Sequence, residues 1–143
     1  MDFIRRTKQM VAFLLTLVVI ACSKNSNTML PPPSPIDTTA QVQQAGVLSS
    51  GPYGTVTGRV EVYQQNDGYV LALKNFTTSA GPDLHVYLSQ EVQPIHFIDL
   101  GKLRQNSGDQ LYTINGKPDF AQYKHALIHC QQFNHLFGSA PLK

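Results

Sequence analysis

Beyond residue 55, apolar side chains recur at every second position in short runs separated by Gly, Pro, Asn and Asp, and this period of two commits the chain to strands. Val56, Gly58, Val60 and Val62 alternate with Thr57, Arg59 and Glu61. Asn66-Asp67-Gly68 supplies turn residues that accept left-handed backbone, and Tyr69-Val70-Leu71-Ala72-Leu73 follows, the pattern of a β-hairpin. A third alternation puts Leu84, Val86 and Leu88 on one face and His85 and Tyr87 on the other. Two shorter runs, His96-Phe97-Ile98-Asp99-Leu100 and Gln110-Leu111-Tyr112-Thr113-Ile114, are separated by an Asn106-Ser107-Gly108 turn. Residues 119–123 read as a single helical turn capped by Asp119, which feeds a last strand over 126–133. Short strands at this spacing predict an all-β fold, an antiparallel β-sandwich or small barrel.

Composition removes several function classes. A chain of 143 residues is one modest domain or less. Eleven Lys+Arg against nine Asp+Glu is too balanced for the basic stripe that nucleic acid requires, and much of the excess sits at the N-terminus. Two cysteines cannot build a disulfide framework, and the sequence has neither a CxxC nor a His-x-His pair. Ser107 and Ser139 lie outside any nucleophile-elbow pattern, so hydrolase chemistry has no support. Asp83 and Asp109 follow Pro82 and Gly108, where carboxylates commonly accept turn N–H groups; a general acid/base pair would need the two to converge in a cleft. Asn75-Phe76-Thr77 matches a glycosylation sequon and carries little weight in an exported bacterial chain.

Arg5, Arg6 and Lys8 precede an apolar run over 10–21 that is broken only by Thr16, the charged and apolar regions of an export signal. Spanning a bilayer takes roughly 20 apolar residues, and this run is shorter. It stops at Val19-Ile20-Ala21-Cys22, which resembles the lipobox of bacterial lipoproteins. That resemblance implies cleavage before Cys22, acylation of its sulfur and of the new N-terminus, and stable membrane attachment through two or three acyl chains. Ser23 in place of Asp after the lipidated residue implies, by resemblance to the enterobacterial sorting rule, the outer rather than the inner membrane. The organisation expected is a signal peptide over 1–21, a lipidated Cys22 with a Pro/Ser/Gln-rich tether over 22–50, and a β domain over 51–143. The tether lacks apolar period and carries Pro31-Pro32-Pro33-Ser34-Pro35, so disorder is expected. Within it, Asp37-Thr38-Thr39 resembles a short O-glycosylation acceptor of some exported bacterial proteins, but the leading reading is plain polar linker.

Three motifs in the β region occur in order. Gly81-Pro82-Asp83-Leu84-His85-Val86-Tyr87-Leu88-Ser89 is followed by Asn106-Ser107-Gly108-Asp109-Gln110, and then by Ile128-His129-Cys130 with Phe133 and Phe137-Gly138-Ser139-Ala140-Pro141-Leu142. Together they resemble the DM-thirteen domain. The resemblance implies an extracytoplasmic β domain with an electron-transfer role and a characteristic cysteine acting as a free thiol or prosthetic-group ligand; Cys130 stands at that position. Haem or another prosthetic group is the cofactor implied, and an envelope or redox protein the partner. A standalone enzyme is not expected.

The residues themselves leave two readings of Cys130 open. With Cys22 lipidated it has no partner in the chain, and an unpaired thiol in an oxidising compartment invites a redox or ligating role. Ala126, Ile128 and Cys130 nevertheless share a strand face, which points the sulfur into the core, where a thiol behaves as a small hydrophobe. His129 projects to the other face. His125 and His129 share that face and flank Leu127; together with His135 they read as surface histidines. His85, beside Tyr87, is either a hydrogen-bonding residue at the core edge or an axial ligand. The functions expected are therefore a lipid-anchored redox module centred on Cys130, possibly joined by His85 as cofactor ligand, or a binding and scaffolding module in which Cys130 is inert.

Overall fold

Each alternation becomes a strand whose inner face supplies the core. The computed structural model describes residues 35–143; the signal segment and the Cys22 box lie outside the described residues. The strands are β1 (Gln41–Val47), β2 (Ser49–Ser50), β3 (Val56–Gln65), β4 (Gly68–Thr78), β5 (Leu84–Ser89), β6 (Phe97–Lys102), β7 (Gln110–Ile114), β8 (His125–Cys130) and β9 (His135–Pro141). They form two antiparallel sheets, β1-β3-β4-β7 and β2-β9-β8-β5-β6, the sandwich expected from the period.

The facing sides bury Val60 and Val62 from β3, Leu71, Leu73 and Phe76 from β4, and Leu84, Val86 and Leu88 from β5, with Ile128 and Cys130 from β8. Side chains of this size stabilise the fold by about 1.5–3 kcal/mol each when fully buried. The outer side of the five-stranded sheet holds a second, small cluster of Tyr87, Leu127 and Leu136.

Two sequence expectations need correction. The polar stretch assigned to the tether ends earlier than residue 50, because β1 and β2 lie within it. β1 is held by backbone pairing to β3 and by reciprocal bonds between Ala45 and Lys143 of 3.0 and 3.1 Å, and such pairing leaves no apolar period to read. The last strand does not run over 126–133: β8 stops at Cys130, the chain turns through 131–134 with Asn134 in left-handed backbone (φ 53), and it returns as β9. Phe137 and Gly138 are interior to β9, where a Cβ on Gly138 would lie 2.7 Å from the Val56 side chain. Around Asp119 the capped single turn is present: its carboxylate accepts the Ala121 N–H at 2.9 Å, and its carbonyl accepts those of Gln122 and Tyr123, the latter an i to i+4 bond that closes one helical turn.

Hydrogen bonds bring several segments to one end of the sandwich. Asp37 N–H donates to Gln65 Oε1 at 3.1 Å beside the β3–β4 hairpin, Gln44 Nε2 to the Phe120 carbonyl at 2.9 Å, and Gln90 Nε2 to Gln122 Oε1 at 3.4 Å. The point where the described chain enters therefore shares an end with the β5–β6 loop. The β8–β9 turn lies at the opposite end of β8.

Gly58 also departs from a simple alternation. It sits at a bulge between Thr57 and Arg59 with φ 121, and a Cβ there would meet the Lys74 carbonyl oxygen at 2.8 Å and Phe76 Cα at 2.9 Å. Gly58→Ala is expected to destabilise the fold by about 1–3 kcal/mol, read as a lower urea midpoint; an unchanged midpoint refutes this role.

Candidate functional site

The β5–β8 register decides which of the chemically interesting side chains meet. Leu84 pairs with Cys130, His85 with His129, Val86 with Ile128 and Tyr87 with Leu127. Because side chains alternate, Leu84, Val86, Ile128 and Cys130 enter the core while His85, Tyr87 and His129 occupy the outer face.

Cys130 is the one free cysteine among the described residues and is 1% exposed. Thiol–disulfide exchange needs direct approach of a second sulfur, and a side chain enclosed in this way does not admit it. His85 is on the opposite face, so the structure does not bring the two predicted ligands together. The His85 ring is also already engaged: Nδ1 lies 2.9 Å from Asp99 Oδ2 and Nε2 lies 3.4 Å from Asp83 Oδ1. Cys130 and His85 thus do not fit as a ligand pair for one haem iron. Among the described residues, no group of three or more His, Cys, Asp or Glu side chains is arranged to hold a metal ion.

What the register does assemble is a polar and aromatic cluster. Asp83 bonds Lys102 Nζ at 3.1 Å, and that contact holds its carboxyl below the usual range, with His85 adding to the effect. Asp99 accepts the Gly101 N–H at 2.8 Å. Tyr87 stacks on Phe97 at 4.3 Å and on His129 at 5.4 Å between ring centroids, and its hydroxyl accepts from Gln131 Nε2 at 3.2 Å. Burial raises the Tyr87 phenol above its ordinary value; Gln131 opposes this, while the negative charges of Asp99 and Asp83 reinforce it.

His129 differs from its expected surface position: it is 2% exposed. Its Nε2–H donates to Asn134 Oδ1 at 2.9 Å, which leaves Nδ1 a buried lone pair with no partner among the described residues. The ring is covered because β9 returns alongside β8 and places Leu136 opposite it. Burial lowers the His129 pKa, Asn134 works the other way, and the neighbouring imidazoles of His135 and His85 lower it further. His125 and His135 are partly buried; His135 stacks on Tyr53 at 3.7 Å, and His125 Nδ1 is buried without a partner.

Asp83 and Asp109 do not converge. Asp109 accepts the Asn75 N–H at 2.7 Å and pairs with Lys74, the turn-capping role read for it, whereas Asp83 directs its carboxylate to Lys102 and His85. Sequence reasoning did not single out Asp99, Gln131, Asn134 or Phe97. The available signal for Asp99 was a carboxylate set within the Phe97-Ile98-Asp99-Leu100 run; the others gave none, since tertiary pairing alone gives them their partners.

A family model described as electron transfer DM13 matches residues 48–142. No curated protein and no solved structure matches the chain.

The buried imidazole has a consequence for acid stability. With its folded pKa depressed below the unfolded value of about 6.5, His129 binds fewer protons folded than unfolded. Its contribution is therefore complete above the unfolded pKa and is lost as pH falls through the folded one. Urea midpoints of the wild type are expected to drop on moving from pH 7 to pH 5, and His129→Gln to show a shallower drop. Identical slopes would refute the assignment.

Proposed function

The chain belongs to the DM13 electron-transfer family, and from that premise we propose that it is a redox-associated module of a bacterial cell envelope, held to the outer membrane by lipid on Cys22. The family match across residues 48–142 carries the redox reading, because it spans nearly the whole sandwich. The export signal and the box ending at Cys22 support the location and the membrane as a partner.

In this reading the redox role is centred on Cys130, and its seclusion excludes a bond to an external sulfur. The redox protein of the envelope that serves as partner meets the outer face around Tyr87, where Phe97 and His129 stack on the phenol and Asp83 and Asp99 add negative charge.

A second reading has a specific observation in its favour. Cys130 lies in the apolar cluster with Leu84 and Ile128, where a thiol packs as a small hydrophobe, and the domain then serves as a binding or scaffolding module.

Native protein is expected to resist a small alkylating reagent at Cys130 and to react once unfolded in urea. Voltammetry of the adsorbed protein separates the readings: a wave that disappears in Cys130→Ala, with the fold retained by circular dichroism, supports the redox centre, and a wild type without a wave leaves the scaffold. Titration with haemin is expected to give no Soret shift, because the ligands do not converge; a shift lost in Cys130→Ser would overturn that expectation.

A further inference from the structure

The β5–β6 loop presents apolar side chains on a rigid support. Ile95 is 71% exposed, and Val92 and Phe97 are each 39% exposed. A mobile loop would fold such residues against the body, but this one is braced. Gln90 N–H donates to the His96 carbonyl at 2.9 Å and Ile95 N–H to the Gln93 carbonyl at 2.8 Å. Glu91 ties the base together: Oε1 lies 2.8 Å from His96 Nδ1, Oε2 accepts the His96 N–H at 3.2 Å, and its own N–H donates to Ser89 Oγ at 3.3 Å. Pro94 removes one more N–H and fixes its own φ.

The position of this tip is informative. Through Gln90 and Gln122, and through Gln44 and Phe120, it shares an end of the sandwich with Asp37 and Gln65, where the described chain enters. From Cys22 to Pro35 there are about a dozen residues, each reaching at most about 3.6 Å, so a lipid on Cys22 keeps this end within a few nanometres of the bilayer. In the segments at this end, residues 35–40, 66–67, 90–96 and 115–124, Asp37, Asp67, Glu91 and Asp119 outnumber Lys117 and Lys124, and His96 is paired with Glu91, so these segments offer no positive patch to anionic lipid.

We propose that Val92 and Ile95 form a membrane-contacting tip that inserts into the interfacial region of the bilayer and orients the domain, leaving the Tyr87–His129 face, with Phe97 stacked on it, free for its partner. The contact is apolar and therefore insensitive to salt. It rests on the membrane-attached reading of the N-terminus, and the experiment distinguishes the two.

The sequence contains no Trp, so an introduced indole reports alone. Full-length protein produced in a lipoprotein-processing bacterium is reconstituted into phosphatidylcholine vesicles with brominated acyl chains, as Ile95→Trp, as Val92→Trp in a second sample, and as Phe133→Trp at the opposite end, where Phe133 is 56% exposed. The expected result is loss of most of the emission at positions 95 and 92, with a blue shift unchanged by added salt, and emission at 133 left intact. Protein that sediments with vesicles but keeps full emission at 95 overturns the tip alone. Protein that stays in the supernatant overturns the anchor and the tip together. A blue shift at 95 that grows with protein concentration in the absence of lipid also overturns the proposal, by marking the tip as a contact between copies.

Discussion

The antiparallel register between β5 and β8 governs the chemistry of this molecule. Setting Leu84 opposite Cys130 sends both into hydrocarbon, and the same step sends His85 and His129 to the other side. A slip of one residue would exchange the faces, exposing the sulfur and burying the imidazole bonded to two carboxylates. The core forbids that slip, since Val86, Leu88, Ala126 and Ile128 would leave it together. One hydrophobic constraint thus separates the thiol from the imidazoles of His85 and His129.

The same constraint gives the outer face its character. Sheet exteriors in sandwiches are ordinarily solvated, yet here Tyr87, Leu127 and Leu136 form a cluster of their own, roofed by Phe97 stacked on Tyr87. His129 is enclosed in that layer as a neutral ring, and Asp83, His85, Asp99 and Lys102 border it as a paired charge network. The family's electron-transfer character therefore meets a domain in which the thiol and the polar cluster are neighbours through one sheet, on opposite sides of it. Access to the sulfur from the outer face is consequently indirect.

The legible parts of the fold are those with side-chain periodicity. The β3–β4 hairpin, with Asn66 in left-handed backbone, and strands β5, β6 and β7 lie where alternation and turn chemistry put them. β1 and β2 were not legible: Gln41-Val42-Gln43-Gln44-Ala45-Gly46-Val47 is held mainly through main-chain bonds to β3 and Lys143, which any residue can make. The β8–β9 turn was hidden by Phe133, whose apolar side chain extends the strand pattern although it ends in solvent. At the site, parity alone placed Cys130 inward. The burial of His129 followed instead from β9 folding back beside it.

The sequence by itself determined an all-β chain, its strand faces, the inward direction of Cys130 and the family to which the domain belongs, because each of these is written in local spacing or in contiguous motifs. Only the tertiary structure decided that His85 lies between Asp83 and Asp99, that Tyr87 is stacked between Phe97 and His129, and that Cys130 and His85 occupy separate faces of one sheet. These are pairings between strands distant in the chain. Register, set by the fit of the whole core, brings such residues together, and no local pattern encodes it.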